Sequence, residues 1–319
     1  MRHSRLNAVP AGPAAAGRVT RFPPGTASPG TARPPLVAVA HGSRDPRAAA
    51  TVSELLDAVR ALSPGLDARA AFLDHSAPAV GQVLGSLDGQ PAVVVPLLLT
   101  AAYHAVADIP ARLAAAAARP GQQAPVVSAA TLGPDVLLLR ALERRLAQAG
   151  VPLADAAARA GTSVVLAAAG SSDPAANATV AALAARWAAE RGWRAVVPGY
   201  ASAASPTPAA AVRALRAAGH DRVVVASYLL SPGYFADKVR AAALEAGAAA
   251  ASAVLGAAPE VARLVLDRYA AAADGLRSPA AAGAADREQA NVTSPLGGCL
   301  GGGNRRGTDV RRAVRPRIT

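Results

Sequence analysis

From residue 36 the chain repeats one pattern: a short apolar run, an abrupt polar stop, then a longer stretch with apolar residues at helical spacing. Residues 36–40, bounded by Pro35 and Gly42, are the first such run. An unbroken apolar run of that length reads as a strand buried on both faces of a parallel sheet. His41 stands at its C-terminal end, where open α/β sheets bind ligands. Asp45-Pro46 then predicts a helix over 46–62, because the carboxylate caps exposed N–H groups and proline suits the first helical position. Further strands are expected over 67–73, 92–99 and 126–127. Helices are expected from Pro78, from Asp108-Ile109-Pro110, and over 134–149 with an apolar face at Val136, Leu139 and Leu142. Strands alternating with helices imply a parallel, doubly wound sheet.

After a polar, Ala-rich junction at 150–162 the pattern restarts. A strand over 163–168 leads into Ala169-Gly170-Ser171-Ser172-Asp173-Pro174, which aligns with His41-Gly42-Ser43-Arg44-Asp45-Pro46 at an offset of 128. At that offset Pro78 falls on Pro206, and with three extra residues Leu98, Leu99 and Tyr103 fall on Leu229, Leu230 and Tyr234. Strands over 195–197, 223–226 and 252–255 complete the copy. The fold class expected is α/β, two similar lobes, each a parallel doubly wound sheet flanked by helices, with a cleft between them. The expected division is a basic tail (1–35), an N-terminal lobe carrying the site (36–150), a degenerate repeat (162–274) and a second basic tail (275–319).

The repeat makes the chain its own control. Gly42, Ser43, Asp45 and Pro46 recur as Gly170, Ser171, Asp173 and Pro174, so they reflect what both lobes need, a tight turn and a capped helix. The chemistry does not recur: Ala169 answers His41, Ser202 answers Asp74, and Phe235 answers His104.

Charge alters this picture little. The net charge is +12, but residues 1–35 and 275–319 each carry +5, leaving +2 for the rest. Both ends are rich in Pro, Gly, Ser and Ala without periodicity, so they read as disordered, solvated tails rather than a nucleic-acid surface. No apolar run approaches the roughly 20 residues of a membrane span. The first residues lack an apolar signal core, and a cytoplasmic location is expected. Cys299 is the only cysteine, which excludes an internal disulfide, a Cys-x-x-Cys redox pair and a cluster held by several thiolates. Lys238, the only lysine, is not in a Walker A loop.

His41, Asp74 and His104 are therefore the candidate catalytic residues. Two imidazoles and a carboxylate over a sheet edge suit a divalent first-row metal, and neutral histidine equally suits proton abstraction. A reaction that needs both is metal insertion into a tetrapyrrole. The segments Ala40-His41-Gly42-Ser43-Arg44, Ala71-Phe72-Leu73-Asp74, Pro96-Leu97-Leu98-Leu99, Tyr103-His104 and Asp108-Ile109-Pro110 resemble the sirohydrochlorin chelatases of the CbiX and SirB type, relatives of ferrochelatase. The resemblance covers residues 36–273 as two repeats. It implies ATP-independent insertion of Co2+ (cobalamin route) or Fe2+ (sirohaem route) into sirohydrochlorin, with His41 and His104 as the active-site histidines and metal ligands. Asp74 takes a place often held by glutamate, and the loop before His104 departs from the usual Gly-rich or Phe-rich version. No permanent cofactor is expected. The metal and sirohydrochlorin are the partners, with no nucleic acid and no membrane, and the protein is a monomer or a dimer.

Gly42, Ser43 and Arg44 are the candidate substrate-binding residues, and Arg44, Arg47 and the helix start beside His41 offer a cationic rim for a polycarboxylate. His75, next to Asp74 on an expected strand, should point away from the site. His3 and His220 are set aside, and Tyr103, which recurs as Tyr234, reads as packing. A carrier that binds metal or tetrapyrrole without turnover uses the same trio. A histidine phosphatase is disfavoured, because such enzymes place arginine directly before the histidine and here Ala40 stands there.

Overall fold

The computed structural model describes residues 33–100, 109–117 and 125–277. Within them two four-stranded parallel sheets follow one another along the chain. The first has the order β2-β1-β3-β4, from Leu36–Ala40 (β1), Ala68–Phe72 (β2), Ala92–Pro96 (β3) and Val126–Ser128 (β4). The second has the order β6-β5-β7-β8, from Thr162–Ala168 (β5), Ala195–Tyr200 (β6), Arg222–Tyr228 (β7) and Ala250–Ala251 (β8). The shared strand order confirms the repeat, and the α/β, two-lobed, doubly wound class holds. Both basic tails lie outside the described residues, apart from Arg33 to Pro35 and the end of the last helix.

Each central strand faces two cores because successive side chains alternate across the sheet. In β1, Val37 and Val39 pack with α2 (Val80–Gly85) and α3 (Ile109–Ala117) through Val83, Leu84, Ile109 and Leu113. In β5, Val165 and Ala167 pack with α7 (Pro208–Ala217) and α8 (Tyr234–Glu245). The opposite faces, Leu36 and Ala38 of β1 and Val164 and Leu166 of β5, join one continuous core that runs through both lobes. α1 (Pro46–Leu62), α4 (Val136–Gln148), α6 (Pro174–Arg191) and α9 (Pro259–Arg277) fill it.

The last helix of each repeat is exchanged. α9 belongs to the second repeat but packs on α1, α4, β3 and β4 of the first, while α4 of the first packs on β7 and α9 of the second. Polar groups fix the exchange. Arg144 grips Glu260 through both carboxylate oxygens at 2.7–3.0 Å, and Arg145 donates to the Leu255 carbonyl at 2.7 and 3.1 Å. Arg268 donates to the carbonyls of Thr131 and Leu132 and to Asp135. Trp187, fully buried, donates to Glu143 at 3.0 Å and meets Trp193 edge-on.

Four expectations are corrected. β3 ends at Pro96 rather than at 99, and the last strand is Ala250–Ala251 rather than 252–255. The apolar residues after it, Ala253 to Leu255, leave the sheet, and Leu255 donates to the Leu229 carbonyl in the loop after β7. Val136 is exposed, and α4 instead buries Leu138, Leu139, Ala141, Leu142 and Leu146. The junction at 150–162 contains a short helix, α5 (Ala156–Ala160), capped by Asp155. Among the described residues no helix is long and apolar enough to cross a membrane.

Glu260 links this seam to pH. Burial is the largest single influence and opposes its charge, but the Arg144 hydrogen bonds, a backbone hydrogen bond and the Arg144 and Arg145 charges together hold the carboxyl below its ordinary 4.5. A carboxyl whose folded pKa is depressed stabilises fully above the unfolded value, and that contribution is lost as pH falls through the folded value. Glu260→Gln is expected to lower Tm at neutral pH by a few degrees and to flatten the fall of Tm between about pH 5 and 3, measured by calorimetry across that range.

Candidate active site

β1 delivers His41 to the C-terminal edge of its sheet, next to the β1/β3 boundary where the winding reverses, the position at which open α/β sheets bind ligands. His41 is exposed there. Gly42 follows at φ +91°, and a Cβ on it would stand 1.8 Å from the Asp74 carbonyl oxygen, so no other residue fits without moving the neighbouring turn. That turn is stitched over the first. Leu73 N–H donates to the Ala40 carbonyl at 3.0 Å and Asp74 N–H to the His41 carbonyl at 2.9 Å. The Ser76 hydroxyl accepts from the Ser43 N–H at 3.1 Å and donates to the Ser43 carbonyl at 3.0 Å. Two of the three candidate residues, His41 and Asp74, thus leave adjacent strands in backbone contact. The Asp74 carboxylate, about half exposed, pairs with Arg112 of α3 at 3.5 Å.

His75 is not where strand alternation predicts. β2 ends at Phe72, so Asp74 and His75 both belong to the turn, and His75 sits at φ +61°. Its ring lies edge-on to that of His41, with centroids 6.5 Å apart. The missed signal is the length of β2: once the strand stops at Phe72, the rule that sent His75 away from the site no longer applies.

The remaining rim residues have defined work. The Ser43 hydroxyl accepts from the Asp45 N–H at 3.1 Å, as that of Ser171 does from Asp173 at 3.0 Å, so this serine shapes the turn before each helix. Arg44 is exposed. Arg47 is not an open cation, contrary to expectation, because it bonds Asp45 of its own turn and Asp237 of α8 at 2.6 Å. Those two carboxylates raise its pKa further, and the Arg47 hydrogen bonds hold the Asp45 carboxyl below its ordinary value.

The second lobe builds the same turn without the chemistry. Gly170 has φ +82°, and a Cβ on it would stand 2.0 Å from the Ser202 carbonyl oxygen. Ser202 N–H donates to the Ala169 carbonyl at 3.0 Å, and Ala203 at φ +57° matches His75. The stitch differs: the Asn177 side chain, reaching back from α6, binds the Ser171 N–H and carbonyl at 3.0 and 2.7 Å, as Ser76 does for Ser43.

His104, with Tyr103 and Asp108, lies outside the described residues. The root of its segment is described, and the other lobe holds it. Tyr228, buried at the end of β7, donates its hydroxyl to the Leu99 carbonyl at 2.9 Å. Burial, with the nearby Asp135 charge, pushes the phenol's pKa up, so it stays a donor. The edges of the two sheets also meet at Gly233, where a methyl would stand 3.9 Å from the Asp45 Cβ and 4.0 Å from the Ser43 Oγ. Among the described residues no three His, Cys, Asp or Glu side chains gather as a metal site. Two open surface hollows among the described residues flank α4 beside Arg140 and Glu143 and take in none of the candidate residues.

A family model, CbiX, matches residues 35–149 and then residues 163–272. The chain belongs to the CbiX family. The two matches are the two sheet-bearing repeats, so His41 and its silent counterpart Ala169 both fall within CbiX units. The CbiX fold seen here is similar to that of SirB from Bacillus subtilis with Fe3+, at TM-score 0.65 and 23% identity over 76% of this chain and 97% of that one. SirB from Bacillus subtilis subspecies spizizenii, a sirohydrochlorin chelatase in complex with cobalt, is similar at TM-score 0.62 and 22% identity over 76% and 97%. DR2241 from Deinococcus radiodurans, a multi-domain protein with structural similarity to chelatases, gives TM-score 0.59 and 19% identity over 75% of this chain and 55% of that one. Comparison with curated protein sequences gives no match.

The close passage at Gly42 yields a test within one molecule. Gly42→Ala and Gly170→Ala are each expected to destabilise the fold by more than about 1 kcal/mol, since both combine a left-handed φ with a backbone clash. Only Gly42→Ala should alter activity. Urea denaturation of both variants checks the first part, and turnover of the folded fraction checks the second.

Proposed function

We propose that this CbiX protein inserts a divalent metal ion, Co2+ or Fe2+, into sirohydrochlorin, working on cobalamin or sirohaem precursors. The observation that carries the reading is the asymmetry of the repeat: the turn is built twice, but only the copy at the first sheet's switch point bears His41, Asp74 and His75. Membership of the CbiX family and a fold shared with SirB support it. The metal is a substrate, and no resident cofactor is invoked.

The chemistry asks two things of the site. The ion must shed water, and two pyrrole N–H bonds must break as metal–nitrogen bonds form. Neutral imidazoles serve both needs, as borderline ligands for first-row metals and as proton acceptors near neutral pH. In this reading His41 and His104 bind the ion and take protons. Asp74, half exposed beside Arg112, orients a histidine or balances charge while the ion sheds its water. His75 lies close enough to His41 to share that work.

The test is a visible-spectrum assay of purified protein with excess sirohydrochlorin and Co2+ or Fe2+, corrected for spontaneous insertion. Turnover is expected, with His41→Ala and His104→Ala each nearly abolishing it and Asp74→Ala leaving a measurable remainder. The rate should fall as pH drops through about 6.5, where imidazole protonates. Stoichiometric binding without turnover would make the protein a carrier, and wild-type rates in both histidine variants would move the site elsewhere.

A further inference from the structure

Single exposed apolar residues are ordinary on a protein surface, but a contiguous exposed pair of rings is a feature to be explained. Tyr234 and Phe235 are 71% and 49% exposed at the start of α8, with ring centroids 5.7 Å apart and planes at 66°. One turn on, the Lys238 ammonium stands 5.8 Å from the Tyr234 centroid, within cation–π range. Tyr103, read as packing because it recurs as Tyr234, lies outside the described residues, whereas Tyr234 itself is exposed.

Their place in the fold gives them a use. α8 starts at the C-terminal edge of the second sheet, and its first turn meets the His41 turn through Gly233 beside Ser43 and Asp45 and through the Asp237–Arg47 ion pair at 2.6 Å. Phe235 also holds, in the second repeat, the position His104 holds in the first. In the repeat alignment an apolar ring at 235 thus stands where the first copy has a titratable one.

We infer that Tyr234 and Phe235, with Lys238, form the second lobe's stacking wall for a flat, conjugated macrocycle bearing carboxylates, whose metal is handled from the His41 side. This rests on the proposed insertion activity and adds to it a binding surface contributed by the lobe without chemistry. Aromatic faces gain by stacking on a conjugated ring, and the lysine ammonium and the helix start both favour carboxylates at its rim.

The experiment titrates metal-free sirohydrochlorin into the full-length protein, following the macrocycle's absorbance and fluorescence, and measures KM and kcat in parallel. Tyr234→Ala and Phe235→Ala are each expected to raise Kd and KM about five- to tenfold with kcat nearly held, while Phe235→Tyr stays within about twofold of wild type. Leu244→Ala, at the far end of α8 and 43% exposed, should leave Kd unchanged. Wild-type Kd in both alanine variants, with insertion still lost in His41→Ala, overturns the wall and leaves the proposed function standing. A fall in kcat at constant Kd also overturns it. No binding of sirohydrochlorin by the wild-type protein overturns both readings.

Discussion

The structure depends on one constraint: the inner face of each sheet is covered in part by a helix that belongs to the other repeat. A four-stranded parallel sheet needs helices on both faces, because its strands are apolar on both. Here α4 crosses to the second sheet and α9 crosses back to the first, so the inner faces share one core. Separating the lobes would strip both sheets at once and leave the Arg144–Glu260 and Arg268–Asp135 pairs without partners. The two C-terminal sheet edges are therefore held in a fixed relation. That relation lets the Tyr228 hydroxyl hold the root of the segment carrying His104, and lets the first turn of α8 reach the turn of His41.

On this frame the repeat separates what the fold needs from what the reaction needs. Both lobes pass a turn tightly over a left-handed glycine, Gly42 or Gly170, and both hold the serine after it at its N–H and carbonyl. The holding group is free to change, Ser76 in one lobe and Asn177 in the other, because only the backbone geometry is at stake. The donor at the strand end is not constrained by folding either, since both His41 and Ala169 are exposed. In the proposed function a histidine there serves chemistry rather than packing.

Much of this was legible in the sequence. β1 and α1 are readable to the residue, because Pro35 and Gly42 bound an unbroken apolar run and Asp45-Pro46 caps a helix. The offset of 128 exposes the repeat and its two-lobed class. Other features depend on partners distant in the chain. Helical periodicity says that α4 has an apolar face, not which sheet that face covers, so the exchange with α9 stayed hidden and Val136 was misplaced on it. Arg47 read as an open cation because Asp237 is 190 residues away. β8 was misplaced because Ala250 and Ala251 carry little apolar signal beside Val254 and Leu255. His75 was discarded on an alternation rule that ends with β2 at Phe72.

The central claim is that one lobe carries the chemistry while both carry the fold. Crystals of the protein soaked in Co2+, with diffraction recorded on both sides of the cobalt absorption edge, test it most directly. The account predicts one ordered anomalous peak at the C-terminal edge of the first sheet, within ligand distance of a His41 ring nitrogen, about 2.0–2.2 Å for a first-row ion, and none beside Ala169. A peak of equal weight at the Ala169 turn, or cobalt bound only away from His41, would contradict it.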